Sequence, residues 1–409
     1  MVLFPLQNTA SRRSTSWYKT AIVLLALAFS TAFGPAFSAA QAKQPKAVYD
    51  YYAEGNPDVV PTVSQSQPHP SYVLMGGGPD VDDAFRWMIQ RAGVAPGTGG
   101  RLVVIRASGD DGYNPYIFYS GRKSAIDSVV RDGWVGGAAL GLSSVETLVI
   151  PSTAAANDPF VNTVLARANA VWIAGGDQAS YIRYWKGQAL EATLNGLMQK
   201  NVPIGGTSAG LAVLGGFDFA ALNGTVTSVQ ALGNPYNSYM TLDPNPLSTV
   251  GGFIAPPVLA NTITDSHLDS RDRMGRLITF VSRLIGTYPG AGQQELGCPG
   301  GVLGNHTARG IGIGVEAALL VQRNPDFTYS GRRVTNISTT TESAVYFINV
   351  TQGPTVCAAG KPLDVPTSSV VIRKLANSAA AINLSDWSGF PIHQSVGVVA
   401  GSLLPANPY

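Results

Sequence analysis

Charged residues are scarce in this sequence of 409 residues. Lys and Arg number 27, Asp and Glu number 25, and together they make up 13% of the chain with a net charge of +2. An ordinary soluble domain carries about 25% charged residues. This near-neutral balance argues against nucleic acid or another polyanion as the partner.

Cysteine and histidine are also scarce. The two cysteines, Cys298 and Cys357, stand far apart in the chain and cannot form a zinc site by themselves. In an exported protein an even pair permits a disulfide, so we expect one disulfide, no metal and no cofactor. Only four histidines are available as a catalytic base: His69, His267, His306 and His393.

No hydrophobic run is long enough to cross a bilayer comfortably. The longest relevant run covers residues 21–33, whereas a transmembrane helix needs about 20 apolar residues. Arg12, Arg13 and Lys19 precede this run and Ala40-Gln41-Ala42 follows it, which is typical of a cleaved signal peptide. We therefore predict a signal peptide over residues 1–42 and a secreted protein without a membrane partner after cleavage, in the periplasm or the medium. A retained anchor is the alternative.

The chain after this segment is apolar enough for a sizeable core. Hydrophobic residues make up 45% of the whole sequence. Residues 43–70 are polar and without period, and predict an arm or linker. Residues 71–409 predict a single domain that is rich in β-strands from about residue 333 onward.

Short apolar runs alternate with helical patterns in the first half of this domain. We predict strands over Tyr72–Met75, Arg101–Ile105, Val145–Ile150, Ala170–Ala174 and Val202–Ile204, and helices over Val81–Arg91, Ser124–Arg131, Phe160–Arg167, Tyr181–Lys200 and Ala209–Leu214. This alternation predicts an α/β fold with a doubly wound, mostly parallel sheet and a C-terminal β extension. Sites in such folds lie at the carboxyl ends of the strands.

One such strand end carries the sequence Gly206-Thr207-Ser208-Ala209-Gly210. A Gly-x-Ser-x-Gly pentapeptide between a strand and a helix predicts a nucleophile elbow, which presents Ser208 above the sheet. The N–H of Ala209 then points toward the group that Ser208 attacks. In a chain with 46 glycines the pentapeptide could also arise by chance.

A serine nucleophile needs a base, and the base needs an acid to orient it. His267 lies in a polar loop before a predicted helix, which suits a cleft, so it is the leading candidate for the base. Glu316 follows an otherwise apolar stretch, Gly310–Val315, and is the candidate acid. The order Ser208, His267, Glu316 differs from the order of an α/β-hydrolase and disfavours an esterase of that fold.

Four motifs in order resemble the cyanophycinases, which group with dipeptidase E among serine peptidases. They are Gly175-Gly176-Asp177-Gln178, the elbow, Asp265-x-His267 with Arg271, Arg273 and Arg276, and Gly310-Ile-Gly-Ile with Glu316. The resemblance runs from about Tyr72 to the C-terminus. It implies a class I glutamine-amidotransferase-like three-layer α/β/α fold and hydrolysis of cyanophycin, a poly-aspartate with arginine on each β-carboxyl, to β-Asp-Arg dipeptides.

The resemblance also implies roles for single residues. Ser208 would be the nucleophile, His267 the base and Glu316 the orienting acid, with the N–H groups of Gly176 and Ala209 as the oxyanion hole. The substrate-binding set would be Gln178, Asp265, Ser266, Arg271, Arg273 and Arg276. Guanidinium groups bind carboxylates with two hydrogen bonds, which fits a substrate with free carboxylates. A solvated basic helix face is the alternative for the arginines.

Two departures from the family bear on the substrate. Ser266 stands where Gln is expected, and Gly314-Val315 lacks the Asp expected before the Glu. Two alternative functions stay open: cleavage of other Asp-containing or isoaspartyl peptides, and an exported non-catalytic binding domain. A homodimer is also expected as a partner state, which the sequence does not decide.

Overall fold

A computed structural model describes residues 47–120, 133–247, 249, 251–339, 341–376, 381–387 and 391–409. The predicted signal peptide and the helix predicted over Ser124–Arg131 lie outside these residues. Residues 47–409 cluster as one unit. Within the described part, no helix is both long and apolar enough to span a membrane.

The five strands predicted in the first half of the chain all lie in one large sheet, which strands from the second half extend. Its strands are β1 (Asp50–Gly55), β2 (Ser71–Met75), β3 (Gly100–Arg106), β4 (Leu142–Val149), β5 (Ala170–Ile173), β6 (Ile204–Thr207), β13 (Ala317–Arg323), β14 (Tyr329–Thr335) and β17 (Ala381–Asn383). Their order is β1-β4-β3-β5-β6-β2-β13-β14-β17. The five strands from β4 to β2 are parallel, and antiparallel strands extend the sheet on both sides.

Both faces of this sheet are covered, as the continuous apolar runs predict. In β3, Val103 and Ile105 pack into one core and Leu102 and Val104 into another. The helices are α1 (Asp82–Arg91), α2 (Tyr113–Phe118), α3 (Thr153–Ala156), α4 (Pro159–Ala166), α5 (Gln178–Trp185), α6 (Ala189–Gln199), α7 (Ala209–Ala212), α8 (Ser228–Gly233) and α9 (Met274–Leu284). Buried residues of α1 and α2 lie in one core and those of α3 to α7 in the other, so the predicted α/β fold with three layers is present.

Two local predictions change. The helix predicted over Tyr181–Lys200 is two helices, α5 and α6, separated at Gly187, whose φ of +75° an α-helix does not accommodate. The arm predicted over residues 43–70 contains β1, which pairs antiparallel with β4 at the edge of the sheet. Its Tyr49 and Tyr51 rings contact Phe160 of α4, so packing rather than sequence period creates this strand.

A second sheet is built mainly from the C-terminal part of the chain. Its strands are β9 (Thr262–Asp265), β12 (Arg309–Ile313), β15 (Val345–Val350), β16 (Val365–Leu375), β18 (Gln394–Val399) and β19 (Ser402–Leu404), in the order β19-β18-β16-β15-β12-β9. Only β9 and β12 pair in parallel, and α9 packs against the sheet. The predicted β extension therefore does not stand apart, because it forms one sheet with β9 and β12.

The remaining short strands form two-stranded pairs: β7 (Asp218–Phe219) with β8 (Leu242–Asp243), and β10 (Tyr288–Pro289) with β11 (Glu295–Leu296).

The apolar stretch that contains Glu316 forms two strands, β12 and β13, which are separated at residues 314–316. β12 belongs to the second sheet and β13 to the first, so this crossover turn joins the two sheets. Ile311 and Ile313 enter the core of the first sheet, while the opposite face of β12 carries glycines against which Leu277 and Val281 of α9 pack.

The predicted disulfide is present and links Cys298 to Cys357.

Candidate active site

Ser208 occupies a sharp turn between β6 and α7. Its backbone angles, φ 53° and ψ −111°, lie in a region that L-residues rarely adopt. A β-carbon on Gly206 would stand 2.6 Å from the carbonyl carbon of Gly210, and one on Gly210 would stand 2.1 Å from the carbonyl oxygen of Ile173. The two glycines of the pentapeptide are therefore required by contact, and the predicted strand-to-helix turn is present.

His267 lies opposite Ser208 at the end of a strand from the other sheet. β9 ends at Asp265, and the loop that follows brings the imidazole to the elbow. Ser208 Oγ and His267 Nε2 are 2.9 Å apart, a hydrogen-bond distance. For the hydroxyl to donate, the neutral imidazole must carry its proton on Nδ1. This is the geometry in which a histidine can accept the proton of a serine nucleophile.

The environment of His267 keeps its imidazole neutral. Burial lowers the pKa of His267 to about 4, and the positive charges of Arg271 and Arg273 add to this effect, while Asp265 acts in the opposite direction. At neutral pH the ring is therefore uncharged and can accept a proton.

Positive φ angles occur at all three residues of the predicted triad. The values are 53° at Ser208, 49° at His267 and 57° at Glu316. Strained non-glycine residues cluster at functional sites, because only a surrounding structure that over-determines them can hold them. Eight other described non-glycine residues also have positive φ, so these angles agree with the motifs but do not by themselves identify the three positions.

The Glu316 carboxylate, however, is not placed as the sequence predicts. Glu316 lies in the crossover turn, and its backbone N–H donates to Gly77 O at 2.9 Å. Among the described residues, neither a hydrogen bond nor an ion pair joins its carboxylate to His267. The predicted Ser-His hydrogen bond is formed, whereas the predicted hydrogen bond between acid and base is not formed among the described residues.

A cleft of about 190 Å³ opens beside Ser208. It is lined by Gly176, Asp177, Gln178, Ser208, Ala221, Gly224, Thr225, Ser266, Arg271 and Arg273. Four residues of the predicted substrate-binding set therefore lie in one cleft with the predicted nucleophile: Gln178, Ser266, Arg271 and Arg273. Sequence reasoning missed Ala221, Gly224 and Thr225 individually, although the loop-like stretch 217–257 is the kind that frames a cleft.

The cleft carries two guanidinium groups. Arg273 Nη1 donates to Ser266 O at 2.9 Å and lies 3.9 Å from Asp265 Oδ1. Burial lowers the pKa of Arg273 to about 10, so it remains cationic at neutral pH. Arg271 is exposed, and within the part of the chain that the structure describes no carboxylate pairs with it. The one carboxylate in the lining, Asp177, caps α5 by accepting from Ala179 N and Ser180 Oγ, each at 3.0 Å.

Arg276 and Asp265 do not line the cleft, which corrects two members of the predicted substrate-binding set. The guanidinium is 2% exposed and donates from Nε and Nη2 to the two carboxylate oxygens at 2.8 and 2.6 Å. Its Nη1 donates to Thr225 Oγ1 and Val226 O. Asp265 Oδ1 also accepts from Ser266 N at 2.9 Å. This buried pair therefore fastens the end of β9, two residues before His267, to α9.

The predicted oxyanion donors border Ser208 on two sides. A β-carbon on Gly175 would lie 3.4 Å from Ser208 Cβ, so the loop after β5 passes directly beside the nucleophile. Tyr181 fixes this loop by donating its hydroxyl to Ala174 O at 2.9 Å. Ala209 is the first residue of α7, where a backbone N–H has no partner within the helix. Gly176 lines the same cleft as Ser208, and Ala209 follows Ser208 directly in the chain.

Among the described residues, no group of three or more His, Cys, Asp or Glu side chains could hold a metal ion.

Comparison with known proteins places the chain near peptidases of solved structure at low similarity. No protein-family profile and no curated protein matches it significantly. A peptidase from an acI-B1 Actinobacterium is 13% identical over 77% of this chain and 97% of its own, with a TM-score of 0.41. A Listeria monocytogenes EGD-e protein provisionally assigned as peptidase E is 14% identical over 65% of this chain and 100% of its own, with a TM-score of 0.31. At these values the similarity carries no argument about activity.

Proposed function

We propose that this chain is a serine-type peptidase with Ser208 as the nucleophile and His267 as the general base. The observation that carries the proposal is the 2.9 Å contact between Ser208 Oγ and His267 Nε2 beside a cleft with two arginines. A strained serine at a strand-to-helix turn, paired with a neutral histidine, is the arrangement that acyl transfer requires.

The proposed reaction has two halves. Ser208 Oγ attacks the carbonyl carbon of the scissile bond while its proton passes to His267 Nε2, and the N–H groups of Gly176 and Ala209 stabilise the oxyanion. The C–N bond then breaks, and the imidazolium gives its proton to the departing amine. Water then attacks the resulting ester, with His267 as the base that takes the proton of the water. The tetrahedral intermediate collapses as His267 returns this proton to Ser208 Oγ, which releases the acid and regenerates Ser208.

We further propose that the substrate carries carboxylates near the scissile bond. Arg271 and Arg273 face the cleft, and guanidinium groups are well suited to carboxylates because they can donate two parallel hydrogen bonds. Cyanophycin fits this requirement, with a free carboxylate beside every arginine-bearing side chain. The proposed products are β-Asp-Arg dipeptides, and the proposed site of action is outside the cell, as residues 1–42 predict.

The size of the cleft favours a second candidate substrate class. A volume of about 190 Å³ is below the roughly 300–1,000 Å³ of usual ligand pockets. Short peptides with an aspartyl or isoaspartyl residue would fill such a cleft without the rest of a polymer. This candidate keeps the same nucleophile and base and differs only in what Arg271 and Arg273 hold.

The test supplies the purified protein with insoluble cyanophycin and, separately, with a chromogenic Asp-X dipeptide. Mass measurement of the soluble products identifies the bond that is cut. Ser208→Ala is expected to lower the rate by about 10⁴-fold or more while the chain stays folded. Ser64→Ala, at an exposed serine outside the cleft, is the control and should retain the full rate.

Each outcome separates the candidates. Clearing of cyanophycin by wild type and not by Ser208→Ala supports the first substrate class, and cleavage of the dipeptide alone supports the second. An undiminished rate in Ser208→Ala shows that the nucleophile is assigned wrongly. Binding of either substrate without any product would instead favour a non-catalytic binding domain.

A further inference from the structure

The turn Gly76–Gly78, which follows β2, is fastened to two parts of the candidate site. Gly76 O accepts from His267 N at 2.8 Å, and Gly76 N donates to Ala317 O at 2.9 Å. Gly77 O accepts from Glu316 N at 2.9 Å. The turn therefore connects the loop that carries the proposed base with the crossover turn between the two sheets.

The imidazole of His267 fills the space that a side chain at position 77 would occupy. A β-carbon built on Gly77 would stand 2.4 Å from Nε2, 2.6 Å from Cε1 and 3.1 Å from Cδ2 of His267. These are the three atoms nearest to that position, and all belong to the ring edge that faces Ser208. The φ of Gly77 is +97°, which also favours glycine.

Ordinarily an acid fixes the orientation of a catalytic imidazole through a hydrogen bond. Among the described residues, the single side-chain hydrogen bond of His267 is the one to Ser208. Glu316, the predicted acid, meets the Gly76–Gly78 turn through its backbone. Ser208 Oγ and the backbone of Gly77 both lie against the Nε2 edge of the ring.

We propose that Gly77 is a positioning residue for the base, and that the Gly76–Gly78 turn, rather than a carboxylate, holds the His267 imidazole against Ser208. The proposal rests on the proposed function, since it takes His267 to be the base. It assigns the glycine-rich turn a role in the reaction without placing it in contact with the substrate. A methyl group at position 77 would displace the ring, and a shift of about 1 Å in a reacting group can cost about 10²-fold in rate.

The matched test is Gly77→Ala against two other glycines with positive φ. Gly97 has a φ of +86° and no atom within 4 Å of its β-carbon position, so Gly97→Ala adds the backbone strain alone. Gly78 has a φ of +75° in the same turn, and its nearest neighbour is Val315. The methyl group of Gly78→Ala therefore strains the turn without overlapping the imidazole of His267. We expect kcat to fall by about 10²-fold in Gly77→Ala, with KM little changed, and to fall much less in the two controls.

A double-mutant cycle with His267→Ala identifies the partner of Gly77. If the methyl group acts through the imidazole, Gly77→Ala will cost no further rate in the His267→Ala background. It will also cost less thermal stability there, because the deleted ring leaves room for the methyl group. The stability measurement decides the question even if Gly77→Ala alone does not fold. If the double variant then folds, the proposal is supported, and if the double variant also does not fold, the proposal is overturned.

Glu316→Gln separates the turn from the predicted acid. The proposal expects a smaller loss of kcat in Glu316→Gln than in Gly77→Ala, and a larger loss overturns it, as does an equal loss in Gly77→Ala and Gly78→Ala. Failure of the proposed function is recognised separately, either as full activity in Ser208→Ala or as the absence of any product from the wild-type chain. A chain in which Ser208→Ala is inactive and Gly77→Ala is fully active retains the proposed function and refutes only the role of Gly77.

Discussion

Ser208 and His267 come from two sheets that hold their residues in different ways. On the first sheet, β6 lies between β5 and β2 in the parallel centre, and the elbow is fixed by backbone atoms in close contact. On the second sheet, β9 is an edge strand. The loop after it is fixed by backbone hydrogen bonds to Gly76 O and Ile313 O and, in addition, by side chains: the buried Arg276–Asp265 pair and the hydroxyl of Tyr409. The nucleophile is thus built by local sequence, whereas the base depends on residues far from it in the chain.

The difference predicts where the site is vulnerable. Close backbone contacts require small residues but no particular partner side chains. A five-residue motif therefore suffices to predict the elbow. A loop held by polar side chains needs each partner, because a buried polar group without its partner is costly. Substitutions distant in sequence should therefore affect the His267 side of the site more than the Ser208 side.

The largest expected effect is at Asp265. Asp265→Asn leaves the Arg276 guanidinium buried without a counter-charge, and breaking such a pair costs about 3–5 kcal/mol in the free energy of unfolding. Urea denaturation measures this loss. Glu342→Gln is the control, because Glu342 is exposed where it pairs with Lys374 at 3.0 Å, and such pairs contribute about 1 kcal/mol or less. Equal losses in the two variants would show that the base loop does not depend on the buried pair.

The pH dependence of Ser208 reactivity reports the environment of the base. The imidazole must be neutral to accept a proton, so reactivity should stay constant as the pH falls and decline only through the lowered pKa of about 4. An unshifted histidine, with a pKa near 6.5, would be about 30-fold less reactive at pH 5. The rate at which a neutral fluorophosphonate inactivates the enzyme measures this without a titrating substrate. A midpoint near pH 6.5 would contradict the expected effect of burial and of Arg271 and Arg273.

The arginines of the base loop should control affinity for acidic substrates. Arg271→Gln removes an exposed guanidinium from the cleft, and the loss of a charge-assisted hydrogen bond predicts a KM about 10-fold higher for a substrate with a free carboxylate. The matched substrate with that carboxylate amidated should show little change. Arg323→Gln, outside the cleft and stacked on Phe327, is the control variant. Equal KM changes for both substrates would support the solvated basic face instead.

The smallest expected effect is at Tyr409. Its hydroxyl contacts Leu268 O at 2.9 Å, Asp272 Oδ1 at 3.1 Å and Met274 N at 3.0 Å, and so holds the segment that carries Arg271 and Arg273. Tyr409→Phe keeps the ring and removes these bonds, which predicts a loss of about 3- to 10-fold in kcat/KM. Tyr236→Phe is the control, because its hydroxyl bonds to Pro299 O outside the cleft. A loss no larger than in the control would show that the loop is held without Tyr409.

Much of the fold follows from sequence patterns because the relevant interactions are local. Apolar runs that alternate with helical periods predict the parallel strands β2 to β6, and Asp158 before Pro159 predicts the start of α4, where Asp158 Oδ1 accepts from Phe160 N at 2.8 Å. These features arise from backbone sterics and hydrogen bonds between residues close in sequence.

By itself, the sequence determined the nucleophile turn, the choice of His267 among four histidines and the arginine-rich loop after it. Tertiary structure decided how each of these residues is used. Arg273 reaches the cleft, whereas Arg276, three positions later, is buried on Asp265. Among the described residues, no hydrogen bond joins the Glu316 carboxylate to the imidazole. The C-terminal strands complete the sheet that carries the base. The physical reason is that burial and pairing depend on which surfaces meet, and residue spacing along a chain does not record that.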